Sequence, residues 1–130
     1  VEQALAAIGT GVWEVKVERE VVVDGLPVVV VGKVDFLRGL MIEDNKTKFD
    51  APDLAWYEPS LQWRWYLHLL GAAGFTYRVW QFKEPDETKV MEFVGGASVR
   101  FFPYAGMESD CLEWLTSFVR WARGKLARAA

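Results

Sequence analysis

The chain has 130 residues, 52% hydrophobic, 25% charged and 15% aromatic, with seven Trp and a formal charge of -3. That length suits a single domain with a buried core, since domains usually run roughly 100 to 200 residues, and so much apolar mass excludes global disorder. The negative balance argues against holding nucleic acid by bulk electrostatics, which Lys and Arg drive. Any such contact has to be local.

The apolar run Val28 to Val31 falls far short of the ~20 residues that cross a bilayer, so no membrane span is expected. Cys111 stands alone; it can make no internal disulfide, four-cysteine zinc site or iron–sulfur cluster, and points to a reducing, cytoplasmic setting. The chain opens on Val1 with neither an initiator Met nor a basic-then-apolar leader, so it reads as processed or as a fragment truncated at its N-terminus, without an export signal. With no repeat, low-complexity run or Gly/Ser linker, residues 1–130 read as one domain.

In chain order, Glu2 to Ile8 reads as the end of a helix stopped by Gly9. From Val12 to Val23, Trp13, Val15, Val17, Val21 and Val23 alternate with charged residues, the period-2 signature of a half-buried strand. Asp24-Gly25 supplies the positive φ angles of a tight hairpin, and Val28 to Leu37 returns as a near-continuous apolar strand, expected to be central and covered on both faces. Arg38-Gly39 marks a second turn and Leu40 to Lys48 a third strand. Glu58 to Leu70 reads as a helix ending at Gly71, Phe75 to Phe82 and Lys89 to Val94 as a hairpin, and Met107 to Ala127 as a helix started by Ser109 or Asp110. The order is (α)βββαββα, an α/β fold with a central mixed sheet flanked by helices.

Two carboxylates and a lysine carry the chemistry: Asp35, then Asp44 and Lys46 in Ile42-Glu43-Asp44-Asn45-Lys46-Thr47. Side chains two apart on a strand share a face, so Asp44 and Lys46 point together and Asn45 away. A two-residue Arg38-Gly39 turn pairs Leu37 with Leu40, sets Asp35 opposite Ile42 and leaves Asp35 diagonal to Asp44 on one face. Cβ atoms so placed are about 7 to 8 Å apart, and two carboxylates reaching inward can close that gap around one Mg²⁺ or Mn²⁺. Hard oxygen ligands favour these ions over zinc, and the backbone carbonyl of Asn45 can supply a third. Such an ion polarises a phosphoryl oxygen while the Lys46 ammonium orients water or stabilises charge, the arrangement of metal-assisted phosphodiester hydrolysis.

Gly32-Lys33-Val34-Asp35, Ile42-Glu43-Asp44-Asn45-Lys46-Thr47 and Gln62-Trp63-Arg64-Trp65-Tyr66 together resemble the PD-(D/E)xK nuclease superfamily, in particular its RecB-like branch. That branch reads approximately G-x-[IV]-D, D-Y-K-T and Q-x-x-x-Y, and the resemblance covers residues 18 to 66. It implies a restriction-endonuclease-like core, a Mg²⁺-dependent deoxyribonuclease with Asp35 and Asp44 on the metal and Lys46 catalytic, and Gln62 and Tyr66 near the nucleic acid. It implies DNA as substrate and a fused or associated helicase or replication protein as partner. Asn45 stands where the branch has Tyr. An upstream acid is also expected, and Glu14 and Glu18 are the candidates on the Asp35 face, Glu14 the nearer; of the first helix only Glu2 offers a carboxylate.

Blander readings accompany these. Asp35, Asp44 and Lys46 could form a surface salt bridge worth ~0 to 1 kcal/mol, although a carboxylate ending a Val-rich strand calls for a cation. Trp63, Trp65 and His68 read as packed residues, and the basic end of the last helix as a complement to the helix dipole. A non-catalytic DNA- or protein-binding module is the alternative to a nuclease, and a Trp-lined small-ligand domain is a third class.

Overall fold

The computed structural model describes residues 11–129. The helix expected over Glu2 to Ile8 lies outside them. Five strands form one mixed sheet: β1 (Val12–Val23), β2 (Leu26–Arg38), β3 (Met41–Lys48), β4 (Gly74–Lys83) and β5 (Glu92–Phe101), in spatial order β1-β2-β3-β4-β5. β3 and β4 are parallel and the other neighbours antiparallel. Two helices, α1 (Leu61–Leu70) and α2 (Met107–Ala129), complete an α/β fold. No described helix is long and apolar enough to cross a membrane.

Local chemistry sets most boundaries. Asp24 (φ 50°) and Gly25 (φ 75°) turn the first hairpin in the left-handed region. α1 begins at Leu61 rather than Glu58 because the Ser60 side chain accepts the Gln62 N–H, while residues Leu54–Tyr57 wind separately as a 3-10 turn capped by Asp53. Gly71, at φ 61°, ends α1 as expected. α2 begins at Met107, ahead of Ser109 and Asp110.

β5 runs well past Val94, because Gly95 and Gly96 lie inside the strand instead of ending it. A Cβ on Gly96 would sit 3.0 Å from Trp80 Cε3, so the glycine is there to let the indole lie across the strand.

Both described helices pack on the same face of the sheet, so the expectation of a flanked sheet gives way to a one-sided arrangement among the described residues. α1 covers Val34, Ile42, Phe75, Tyr77 and Val79. α2 adds Cys111, Leu115 and Val119 over Trp65, Leu69 and Val23, with Val17, Val21, Val28 and Val30 beside them. Trp63 and Trp65 are both buried in these cores, as the packing reading expects. β2 is interior to the sheet, between β1 and β3, but it is not covered twice: Val29 and Val31 are 58% and 56% exposed on the opposite face. A Val run reads the same whether one face or two are buried, and here only the even positions meet helices.

Arg19 interrupts the apolar phase of β1, and its use is structural. Its guanidinium donates to the carbonyls of His68 and Leu69 at 3.3 and 3.0 Å, satisfying the C-terminal end of α1. Arg19→Ala should lower unfolding free energy by about 1 to 2 kcal/mol in a urea titration; an unmoved midpoint would show that water serves those carbonyls as well. Gly32 is the seat of α1 on β2, since a Cβ there would lie 2.7 Å from Tyr66 Cε1. Gly32→Ala should therefore cost roughly 1 to 3 kcal/mol by displacing the helix, and wild-type stability in that variant would show that Tyr66 can swing aside.

Candidate active site

The second and third strands meet in a different register from the expected one. Leu37 pairs with Ile42 and Arg38 with Met41, so Gly39 (φ 59°) and Leu40 make the turn. The two-residue shift carries Asp35 from a diagonal position to one directly across from Asp44. It arises because the glycine able to adopt positive φ is the first turn residue, not the second.

A change of phase in β2 sets the direction of Asp35. Gly32 and Val34 face the helices. Beyond Asp35 it is Leu37 that packs on that face, while Phe36 meets Trp13 on the other, with ring centroids 4.5 Å apart and planes tilted by 50°. Strict alternation from Val34 would have turned Asp35 away from Asp44. The break is shared by β1: Glu14, which falls opposite Asp35 by register, has φ 55° and drops out of the ladder between Trp13↔Phe36 and Val15↔Val34. A non-glycine residue in this region costs of order 1 kcal/mol, and bulges of this kind re-aim side chains beside functional sites.

As a result, Asp35 faces Asp44 closely enough for its charge to act on that carboxyl. Asp35 Oδ2 accepts the Asn45 backbone N–H at 3.2 Å, which ties it to β3. Asp44 is 4% exposed, and its Oδ2 lies 2.9 Å from Lys46 Nζ. Burial pushes the Asp44 carboxyl up from the usual range, Lys46 pulls it back, and the charge of Asp35 adds to the rise. Lys46 itself is partly open to solvent, at the rim.

α1 overhangs this pair. Tyr77, the β4 residue level with Asp44, donates its hydroxyl to Gln62 Oε1 at 3.1 Å, which leaves the Gln62 amide nitrogen free to donate. Burial, first of all, pushes the Tyr77 hydroxyl up to about 12, so it remains a donor throughout the physiological range. Tyr77 has no counterpart in the sequence motifs. Its only signal there was an aromatic in the fourth strand, indistinguishable from core. Tyr66 lies one turn from Gln62 but is already engaged: its hydroxyl donates to the Lys33 carbonyl at 2.9 Å.

The upstream acids do not join. Glu14 Oε1 lies 3.3 Å from Lys33 Nζ, and Glu18 Oε1 is 2.9 Å from Lys16 Nζ. Glu18 also pairs across from Val31, on the solvent face rather than the Asp35 face. The phase break at Glu14 separates the two faces that simple counting had merged. Asn45 points away as expected, its Oδ1 accepting the Trp80 indole N–H at 2.9 Å. His68 packs edge-on to Trp65.

Among the described residues, no cluster of three or more His, Cys, Asp or Glu could hold a metal. The donor set is therefore two carboxylates with the Asn45 carbonyl as a possible third ligand. That suits Mg²⁺ or Mn²⁺, because Mg²⁺ is commonly held by one or two carboxylates and keeps several waters, and it does not suit calcium or structural zinc, which need more protein ligands. A buried carboxyl whose ionisation is opposed by its surroundings is also one that a cation would relieve.

The fold defined by these elements is an α/β domain with a five-stranded mixed sheet. It is similar to the crystal structure of SSO0001, with a TM-score of 0.68 and 19% identity over 92% of this chain and 54% of that one. The chain thus spans about half the length of that structure. No protein-family model and no curated protein matches it.

Proposed function

We propose that this protein is a metal-dependent nuclease hydrolysing DNA phosphodiester bonds, with a restriction-endonuclease-like core of the PD-(D/E)xK, RecB-like kind. The reading rests on one juxtaposition: Asp35 against Asp44, with Lys46 Nζ 2.9 Å from Asp44, under a helix that presents Gln62. Asp35, Asp44 and the Asn45 carbonyl would hold Mg²⁺ or Mn²⁺, which polarises a phosphoryl oxygen and acidifies water. Lys46 orients the attacking water or stabilises the charge that develops on phosphate. Gln62, held through its oxygen by Tyr77, offers its amide nitrogen to the strand, with Tyr66 one turn further along the same helix. A fused or associated helicase or replication protein is the partner class that fits such an activity.

A non-catalytic binding module on the same fold is the second reading, favoured by the commitment of Glu14 and Glu18 to lysines. Calorimetric titration with Mn²⁺ separates the two. A nuclease site should release heat that Asp35→Asn removes, alongside loss of DNA cleavage. Absence of heat in the wild-type chain would favour the module.

A further inference from the structure

The face of the sheet that the described helices leave open carries a charged cluster across β3, β4 and β5. Register places Glu43, Thr76 and Arg100 in one row, Asn45, Arg78 and Ser98 in the next, and Thr47, Trp80 and Gly96 in a third. Between β4 and β5 lies a cleft of about 350 Å³, lined by Arg78, Trp80, Gly96, Ala97 and Ser98. Gly96 makes room for the Trp80 indole, which any Cβ there would meet. The indole N–H donates to Asn45 Oδ1, so the ring is held in place as one wall of the cleft.

This cluster is short of an anion. Glu43 accepts from Arg78 at 3.0 Å and lies 3.6 Å from Arg38, while Arg100 Nε donates at 3.2 Å to the Thr76 hydroxyl, a neutral acceptor. On this face of residues 43–47, 76–80 and 96–100, Glu43 is the single carboxylate, so three Arg less one Glu leave an excess of two positive charges. Arg38 Nε, Arg78 Nε and Asn45 Nδ2 are buried without an acceptor among the described residues, against one unpaired acceptor in the cluster, Glu43 Oε2. Unpaired buried cations are costly, and an anion from outside the chain relieves them.

We infer that this cleft binds a nucleoside monophosphate, with its phosphate between Arg78 and Arg100 and its base against the Trp80 indole. Arg100 is diagonal to Arg78 on the neighbouring strand, and Trp80 lies two residues beyond Arg78 on the same face. The Arg78 side chain is 23% exposed and Arg100 is exposed, so both are within a ligand's reach. A phosphate monoester carries nearly two negative charges, which matches the excess, and guanidinium groups suit its oxygens. One indole beside a small cleft takes one base, whereas a bound strand needs a basic groove with successive aromatic platforms. Asp35, Asp44 and Lys46 lie toward the other face, so binding here is separate from cleavage.

Calorimetric titration with adenosine monophosphate in EDTA, with Trp fluorescence followed alongside, tests this without metal or cleavage. The wild-type chain should bind it with a fall in fluorescence, and adenosine and ribose 5-phosphate should each bind at least about tenfold more weakly, lacking the phosphate or the ring. Ser98→Glu sets a carboxylate at an exposed position in the row of Arg78. That variant and Arg100→Ala should each weaken binding about tenfold or more with an unchanged circular dichroism spectrum, whereas Lys46→Ala should leave the constant as it is. No binding at millimolar concentration, a wild-type constant in Ser98→Glu, a loss in Lys46→Ala, or ribose 5-phosphate binding as tightly as the nucleotide would each overturn the proposal. So would a single-stranded oligonucleotide that binds more tightly than the monophosphate and loses that advantage in Ser98→Glu, which would assign the face to a strand.

Discussion

On the proposed nuclease reading, Lys46→Ala and Asp44→Asn should each lower Mg²⁺-dependent DNA cleavage by at least about a hundred- to a thousandfold, the usual cost of removing one preorganised electrostatic group. Their effects on stability should differ from those of a core mutation. Lys46 sits at the rim, so its removal leaves no cavity. Asp44 is buried and its carboxyl is pushed up mainly by desolvation. A carboxyl raised in the folded state adds stability below its unfolded pKa, and that contribution is gone once the pH has risen through the folded pKa. An asparagine never ionises and so avoids the desolvation that opposes the Asp44 charge, and it should melt no lower than the wild-type chain. Loss of cleavage with a retained melting temperature is the expected pair of results. Undiminished cleavage by either variant would defeat the assignment.

Glu43→Ala should be the most destabilising single change in the sheet, costing about 3 kcal/mol or more, and roughly 10 °C in melting temperature for a chain of this size. Glu43 alternates with Asp44 and so lies on the opposite face, where it is 5% exposed. It accepts from Arg78 at 3.0 Å, and its other oxygen is 3.6 Å from Arg38, which in turn lies over the Phe36 ring. Removing the carboxylate leaves the buried guanidinium nitrogens of Arg38 and Arg78 without their anion, so the penalty comes from uncompensated charge rather than from a lost contact. A urea titration giving less than ~1 kcal/mol would place Glu43 among ordinary surface ion pairs.

Neither strand parity nor motif spacing exposed this second cluster. In Ile42-Glu43-Asp44-Asn45-Lys46 parity only turns the Glu away from the site, as it does Asn45, and its partners Arg38 and Arg78 are separated from it by a turn and by a parallel crossover. The same distance in sequence hid Tyr77, which reaches Gln62 only because β4 lies parallel beside β3. Parallel pairing depends on where α1 returns the chain, and no local pattern states it.

What local chemistry could decide, it largely did. Alternation marked β1, Asp24-Gly25 marked its turn, Gly71 ended α1, and the Asp44-x-Lys46 spacing placed a carboxylate and an amine on one face, because backbone geometry alone links those positions. The tertiary structure decided the rest. Which glycine conformation closed the β2–β3 turn determined whether Asp35 stood diagonal to Asp44 or across from it. A shared phase break at Glu14 and Asp35 then determined which face each acid took. In an unbroken run of valines either phase buries the same side chains, so only packing against α1 and β1 could choose between them.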